Sequence, residues 1–335
     1  MLLAPDSIEV KLLQLLRLQG QLDLSTWPYI SAKTILPFEK WFLNEYHSLF
    51  QSLSVEQVQS YLRRLEILGL VKRNSRFKFC LTSDGSYWAY NLIEYTKQVE
   101  LNELQNLIGP EKFINENSTH ATVLDVGCGG GASLIAIENK YGYIGKNLIL
   151  IGLDMEYRNL TFAKEYARSF CGQKVHSQQI TFVQGDAIRL PFHSESFHIV
   201  FLKETLYLLN RDAFLIEAYR VLQPKGRLII VTPSWVYFIK AGFHSLYHRR
   251  FLSASLAFFC ILNGAWLRLT GKQWQIKNRL CYGDTAGSLR AALREAGFYV
   301  LQCNYHKGPF SVCPIVAIAE KPTRWNQCEE SKKFA

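Results

Sequence analysis

The chain lacks the cysteine patterns that build metal or redox centres. Its eight cysteines stand at 80, 128, 171, 260, 281, 303, 313 and 328, none in C-x-x-C and none joined to histidines at zinc spacing. No metal is expected, and reduced thiols are the plain expectation for a cytoplasmic protein. The stretch Met1–Asp6 has no basic n-region and no cleavable signal pattern. A membrane span is also missing in its simple form. Phe251–Leu267 is uncharged over 17 residues, but a span needs about 20 predominantly apolar ones. Two serines, an asparagine and a glycine interrupt it, and Arg249, Arg250 and Arg268 flank it. Positive charge, finally, is absent from the first third. Residues 1–118 carry net −1, residues 119–235 net +2 and residues 236–335 net +9, which together make the chain's +10. An N-terminal nucleic-acid platform is disfavoured on that count.

What is present begins at Val123-Leu124-Asp125-Val126-Gly127-Cys128-Gly129-Gly130-Gly131-Ala132-Ser133. An apolar run ends in an acid, glycines follow, and the apolar face of a helix begins with Leu134, Ile135 and Ile137. That is a strand, a tight loop and a helix start, with free N–H groups at the helix terminus. Gly127 to Ala132 also fits the dinucleotide pattern G-x-G-x-x-A, which alone is a weak signal. Asp125 sharpens it. A carboxylate at that strand end suits a ligand bearing an ammonium or a sulfonium rather than a pyrophosphate. Two more strands end in acids: Leu148–Asp154, where a carboxylate can take two ribose hydroxyls, and Ile180–Ala187, where Asp186 can accept from an exocyclic adenine amine.

With these three strand ends the chain resembles the class I S-adenosylmethionine-dependent methyltransferases, in particular small-molecule, natural-product enzymes with an N-terminal winged helix. The resemblance continues through Ser196–Val200, Tyr219–Ile230 and Leu293–Phe298, covering roughly 119–235 and 284–320. The step of 29 residues from Asp125 to Asp154 exceeds the acid spacing of about 20 in dinucleotide folds. A loop extension at 141–147 is expected to absorb it. The resemblance implies an α/β architecture, a Rossmann-like seven-stranded sheet in the order 3-2-1-4-5-7-6. It implies S-adenosyl-L-methionine as cofactor, held by Asp125, Gly127, Cys128, Gly129, Asp154, Met155, Asp186, Ala187 and Lys203.

The expected domains are 1–100, a linker at 101–118, and a catalytic domain at 119–335. In the first, Ile8, Leu12, Leu13, Leu15 and Leu16 form a helical stripe, and Ser54–Gln57 is a capping box. A strand–turn–strand at 68–81 follows, similar to a winged helix. In the resembling enzymes such a domain serves dimerisation, so a homodimer without nucleic acid is expected here. After the fifth strand, Trp235–Tyr282 is an insertion rich in aromatics. It is read as a lid over an apolar acceptor pocket, with peripheral membrane contact as the alternative.

Methyl transfer from a sulfonium is an in-line displacement that a base can assist. The histidine-centred motif of plant-type O-methyltransferases is absent, so no base carries over. Candidates by position are Glu204, Tyr207, His244 and His248, with His306 further along. The expected activity is methylation of a nitrogen or oxygen on a hydrophobic small molecule. The alternatives are a lipid or quinone acceptor at a membrane surface, and a DNA-binding regulator that has lost catalysis.

Overall fold

The computed structural model describes residues 3–4, 7–19, 21–26, 48–75, 77–96, 98–110, 120–142, 148–171, 180–247, 251–275, 280–306 and 314–323. The chain forms two compact units, Met1–Gln98 and Val99–Ala335.

In the first unit, α1 (Ile8–Gln19) packs its Leu12, Leu13, Leu15 and Leu16 fully inside. The capping box opens α2 (Val55–Ile67): Gln57 N donates to Ser54 Oγ at 3.3 Å, and Ser54 N donates to Gln57 Oε1 at 2.9 Å. That satisfies two N–H groups a helix start otherwise leaves open. Three short strands follow the order β1–β3–β2, with β1 at Leu22–Asp23, β2 at Val71–Ser75 and β3 at Lys78–Leu81. The helix α3 (Ser83–Thr96) begins next, and a side chain at Gly85 would drive into the carbonyl of Leu70. Two basic residues of the hairpin are paired in place. Arg73 meets Glu66 at 3.0 Å, and Lys78 lies 3.7 Å from Asp23.

The second unit is built on a seven-stranded sheet, β6–β5–β4–β7–β8–β10–β9. Its strands are β4 (Ala121–Val126), β5 (Leu148–Asp154), β6 (Ile180–Gln184), β7 (Phe197–Lys203), β8 (Leu222–Pro233), β9 (Tyr299–Tyr305) and β10 (Pro314–Glu320). Counted within this unit, the order is 3-2-1-4-5-7-6. The pairs from β6 to β8 are parallel, and β10 runs antiparallel to both neighbours. Buried on both faces, the parallel strands read as near-continuous apolar runs. Strand alternation sorts them. Val123 faces one core with Leu134, Ile137 and Leu160, while Leu124 and Val126 face another with Phe214, Leu215 and Leu289. The first core lies under α5 (Ala132–Tyr141) and α6 (Tyr157–Cys171), the second under α7 (Arg211–Val221) and α10 (Ala286–Glu295).

The expected linker is corrected here. Residues 98–108 form a helix, α4, whose Leu104 and Ile108 are buried in the first core. Gln105 Nε2 donates to the carbonyl of Ala136 at 2.6 Å, and Tyr141 Oη donates to the carbonyl of Gln105 at 3.0 Å. The segment therefore belongs to the second unit, because its apolar stripe has a core to enter. Residues 111–119 lie outside the described residues, as do 143–147, most of the expected loop extension.

The insertion is a helical hairpin of α8 (Trp235–Tyr247) and α9 (Phe251–Thr270). Its base is tied to the sheet through Trp235 N, which donates to Asp284 O at 3.0 Å. Its return loop is held by Asn263, whose amide donates to the carbonyls of Trp274, Leu280 and Cys281 and accepts from Trp274 N. The helix α9 is the one described helix long and apolar enough to cross a membrane, with a third of that stretch buried.

Candidate active site

At the carboxyl ends of β4 and β7 the connections leave the sheet in opposite directions. Such a switch point is where open α/β sheets hold ligands. Three glycines make the turn after β4 possible. Gly127, Gly129 and Gly131 have φ of +73°, +52° and +81°, values that disfavour any side chain. A Cβ on Gly127 would strike Thr205, whereas one on Gly129 would point into open space. The loop backbone is thus packed on its β7 side and open where a ligand would approach.

Asp154 organises this loop. Its Oδ2 accepts from Gly129 N at 2.9 Å, and its Oδ1 accepts from Glu156 N at 2.8 Å and Asn159 Nδ2 at 3.3 Å. A carboxylate has about four acceptor positions, so capacity remains for a hydroxyl. Asp125 is almost fully buried, and burial pushes its carboxyl well above the usual range. Lys203 opposes that shift, and the negative charge of Asp154 adds to it. A cation placed beside this pair would offset the cost of burying the charge. Cys128 is buried, and its thiol is raised by burial and then by Asp125 and Asp154. That rules it out as a thiolate nucleophile. Asp186 is exposed; its Oδ1 accepts from Ile188 N at 3.0 Å, an Asx turn that shapes the loop. Met155 is exposed beside it in the β5 loop, and Ala187 is buried.

Glu204 is the strained residue of the site. It follows β7 with φ of +55°, held by its N–H donating to Val231 O at 2.7 Å. Its Oε1 is buried and has no hydrogen-bond partner. Strain and an unmet acceptor together mark a position kept for function. Tyr207 is half-buried, its ring 5.9 Å from that of Phe238 on α8, and its carbonyl accepts from Tyr282 N at 3.1 Å. His244 is half-buried on α8. His306 lies 3.6 Å from Glu103, and His248 lies outside the described residues.

Several contributors escaped the sequence. Thr205 closes the glycine loop, with its Oγ1 3.4 Å from the carbonyl of Gly127 and 3.1 Å from that of Lys203. Arg211 joins the starts of α7 and α10 through Asp284 at 3.3 Å and Ser288 at 2.9 Å. Tyr282 is fully buried, and its hydroxyl has no hydrogen-bond partner. Burial, then Asp284, raises that phenol far above its ordinary range, so it stays protonated. Only Asn159 had a legible cue, a polar residue five positions after Asp154.

The strand order, the glycine turn and the acids at the strand ends are those of a Rossmann-like methyltransferase sheet. In agreement, residues 117–267 match the family model described as "Methyltransferase domain". A demethylmenaquinone methyltransferase of Lactobacillus johnsonii is 37% identical over 112 residues, 33% of this chain and 43% of that one. The O-methyltransferase cnsE of Penicillium expansum is 33% identical over 112 residues, covering 32% and 36%. A demethylmenaquinone methyltransferase of Lactococcus lactis is 28% identical over 209 residues, covering 61% and 76%. The chain thus spans less than half the length of the first two. Among solved structures, a geranyl diphosphate methyltransferase in complex with GPP and sinefungin superposes with a TM-score of 0.45 at 13% identity, over 66% of this chain and 76% of that one.

Proposed function

We propose that this protein transfers the methyl group of S-adenosylmethionine to a nitrogen or oxygen of a lipophilic small molecule. The observation that carries the proposal is the pair Asp125–Asp154 behind an open glycine turn at the switch point. Bound there, S-adenosylmethionine would supply the activated methyl group for an in-line displacement. Asp154 would accept the ribose hydroxyls while keeping the loop closed through Gly129 N. Asp125 would favour the cationic end of the ligand, and Asp186 with Ala187 would meet the adenine.

On the acceptor side, Glu204 presents a buried oxygen with no partner. Within reach of an acceptor O–H or N–H it would orient that group and take its proton as the new bond forms. Tyr207 and the hairpin α8–α9 would wall the acceptor site and exclude water. A natural-product acceptor agrees with the Penicillium relative; a quinone acceptor agrees with the two bacterial ones. The regulator alternative is weakened by the acids that pair Arg73 and Lys78 on the hairpin of the first unit.

The test is calorimetric. Asp154→Ala should weaken S-adenosylmethionine by about 1–3 kcal/mol, the size of lost hydrogen bonds to a charged group. Wild-type affinity in that variant would refute the assignment of the site.

A further inference from the structure

The helical hairpin leaves a large apolar surface open that folding of the second unit does not use. On α9 the inward face is occupied: Ala254, Ala257, Cys260, Gly264 and Leu267 are buried, and a side chain at Gly264 would collide with the carbonyl of Gly283. The outward face carries Phe251 at 68%, Leu252 at 76% and Leu262 at 61% exposure. The end of α8 beside it adds Phe243 at 63% and Tyr247 at 82%. Large apolar groups clustered this way mark an interaction surface rather than random exposure.

The charge around this surface has one sign. Between Glu217 and Asp284 the sequence contains no aspartate and no glutamate. Within Trp235–Tyr282 it places Lys240, Arg249, Arg250, Arg268, Lys272, Lys277 and Arg279. The exposed positive charge seen there is that of Lys240, Arg268 and Lys272.

We infer that the hairpin docks this protein on the surface of an anionic phospholipid bilayer. The exposed aromatics and leucines enter the headgroup–acyl boundary, and the basic residues meet the lipid phosphates. An apolar face with a basic border and no acid is the pattern of helices that lie in a membrane interface. Spanning is opposed by the contacts of α9. The helix packs on α8, and Asn263 and Gly264 fix it to Trp274, Leu280, Cys281 and Gly283, contacts that crossing a bilayer would break. A second copy of the chain is disfavoured as the occupant, because two such surfaces would bring like charges together. The inference rests on the proposed methyl transfer only for what docking serves, which is the withdrawal of a lipophilic acceptor from the bilayer.

The test uses the full chain and vesicles of phosphatidylcholine, with and without about a third of phosphatidylglycerol. The protein should sediment with the anionic vesicles, far less with the neutral ones, and less as salt is raised. Lys240→Glu and Lys272→Glu should each weaken binding at least about five-fold. Leu252→Asp, a change at an exposed position, should abolish sedimentation while leaving the circular dichroism spectrum and S-adenosylmethionine affinity unchanged. No binding to anionic vesicles, or equal binding by Leu252→Asp, would overturn the inference. So would a dimer in vesicle-free solution that Leu252→Asp turns into monomer, because the surface would then belong to a second copy. Loss of the methyl-transfer proposal has a separate signature: vesicle binding intact, with no affinity for S-adenosylmethionine.

Discussion

Glu204 carries the sharpest residue-level conflict between stability and use. A left-handed backbone costs a glutamate energy that a glycine would not spend, and a buried acceptor without a donor adds to the cost. Glu204→Gly is therefore expected to raise stability by about 1 kcal/mol, read as the urea midpoint of the second unit. The same variant should lose methyl transfer by at least about ten-fold, the low end for removing a positioned base. A variant that is both less stable and fully active would show that the carboxylate serves packing instead. Nothing in the sequence marks Glu204 as strained. Its position after an apolar strand is legible, whereas its positive φ arises because the chain must turn off β7 while its N–H stays bonded to β8. Asp125 and Asp154 differ in the same way. Their places at strand ends are plain in the sequence, yet the role of Asp154 as the clasp of the glycine loop needs β5 set beside β4.

At the level of elements, the pairing of β4 with β7 is fastened by side chains 76 residues apart. Thr122 N donates to His198 Nδ1 at 3.1 Å, and His198 N donates to Thr122 Oγ1 at 3.1 Å. The ring must be neutral to accept, and burial lowers its proton affinity, with nearby His120 acting in the same direction. The unfolded chain then binds the proton more readily than the folded one, so stability falls with pH as it drops below about 6.5. The urea midpoint should decline from pH 7.5 to pH 5.5. His198→Gln should flatten that decline while costing about 1 kcal/mol at pH 7.5. An unchanged slope in this variant would assign the pH dependence to another group. The helix α4 teaches a related lesson. Its position between two patterned regions reads as a connector, but Leu104 and Ile108, with Leu107 partly buried beside them, pack into the core of the sheet. A short apolar stripe is a faint signal until the surface it covers is known.

For the whole molecule, the chain divides at Gln98 into two compact units. The first unit, with 11 basic and 9 acidic side chains in residues 1–98, has only a small net charge to hold a nucleic acid, and it exposes Ile67, Leu68 and Tyr90. We expect it to pair two copies of the chain, as a winged-helix-like unit does in the small-molecule enzymes the sequence resembles. Light scattering at micromolar concentration should then report a dimer for the full chain and a monomer for Ile67→Asp. Monomers in both cases would dismiss the idea. The dimer should also be indifferent to Leu252→Asp, which separates this surface from the one on the hairpin.

The sequence by itself determined the catalytic sheet and the glycine turn. The reason is local: parallel strands buried on both faces must be apolar throughout, and a turn through left-handed backbone must be glycine. It determined α1 and the capping box of α2 on the same footing. Tertiary structure decided what depends on distant neighbours: that α4 belongs to the core, that Thr205 and Asp154 clamp the loop, and that the Tyr282 hydroxyl and Glu204 Oε1 are buried with no hydrogen-bond partner. It also decided the fate of the apolar run after β8. Composition alone leaves that run between core, lid and membrane. Only the packing of Gly264 and Asn263 against the return loop shows which side of α9 is held by the protein and which is left open.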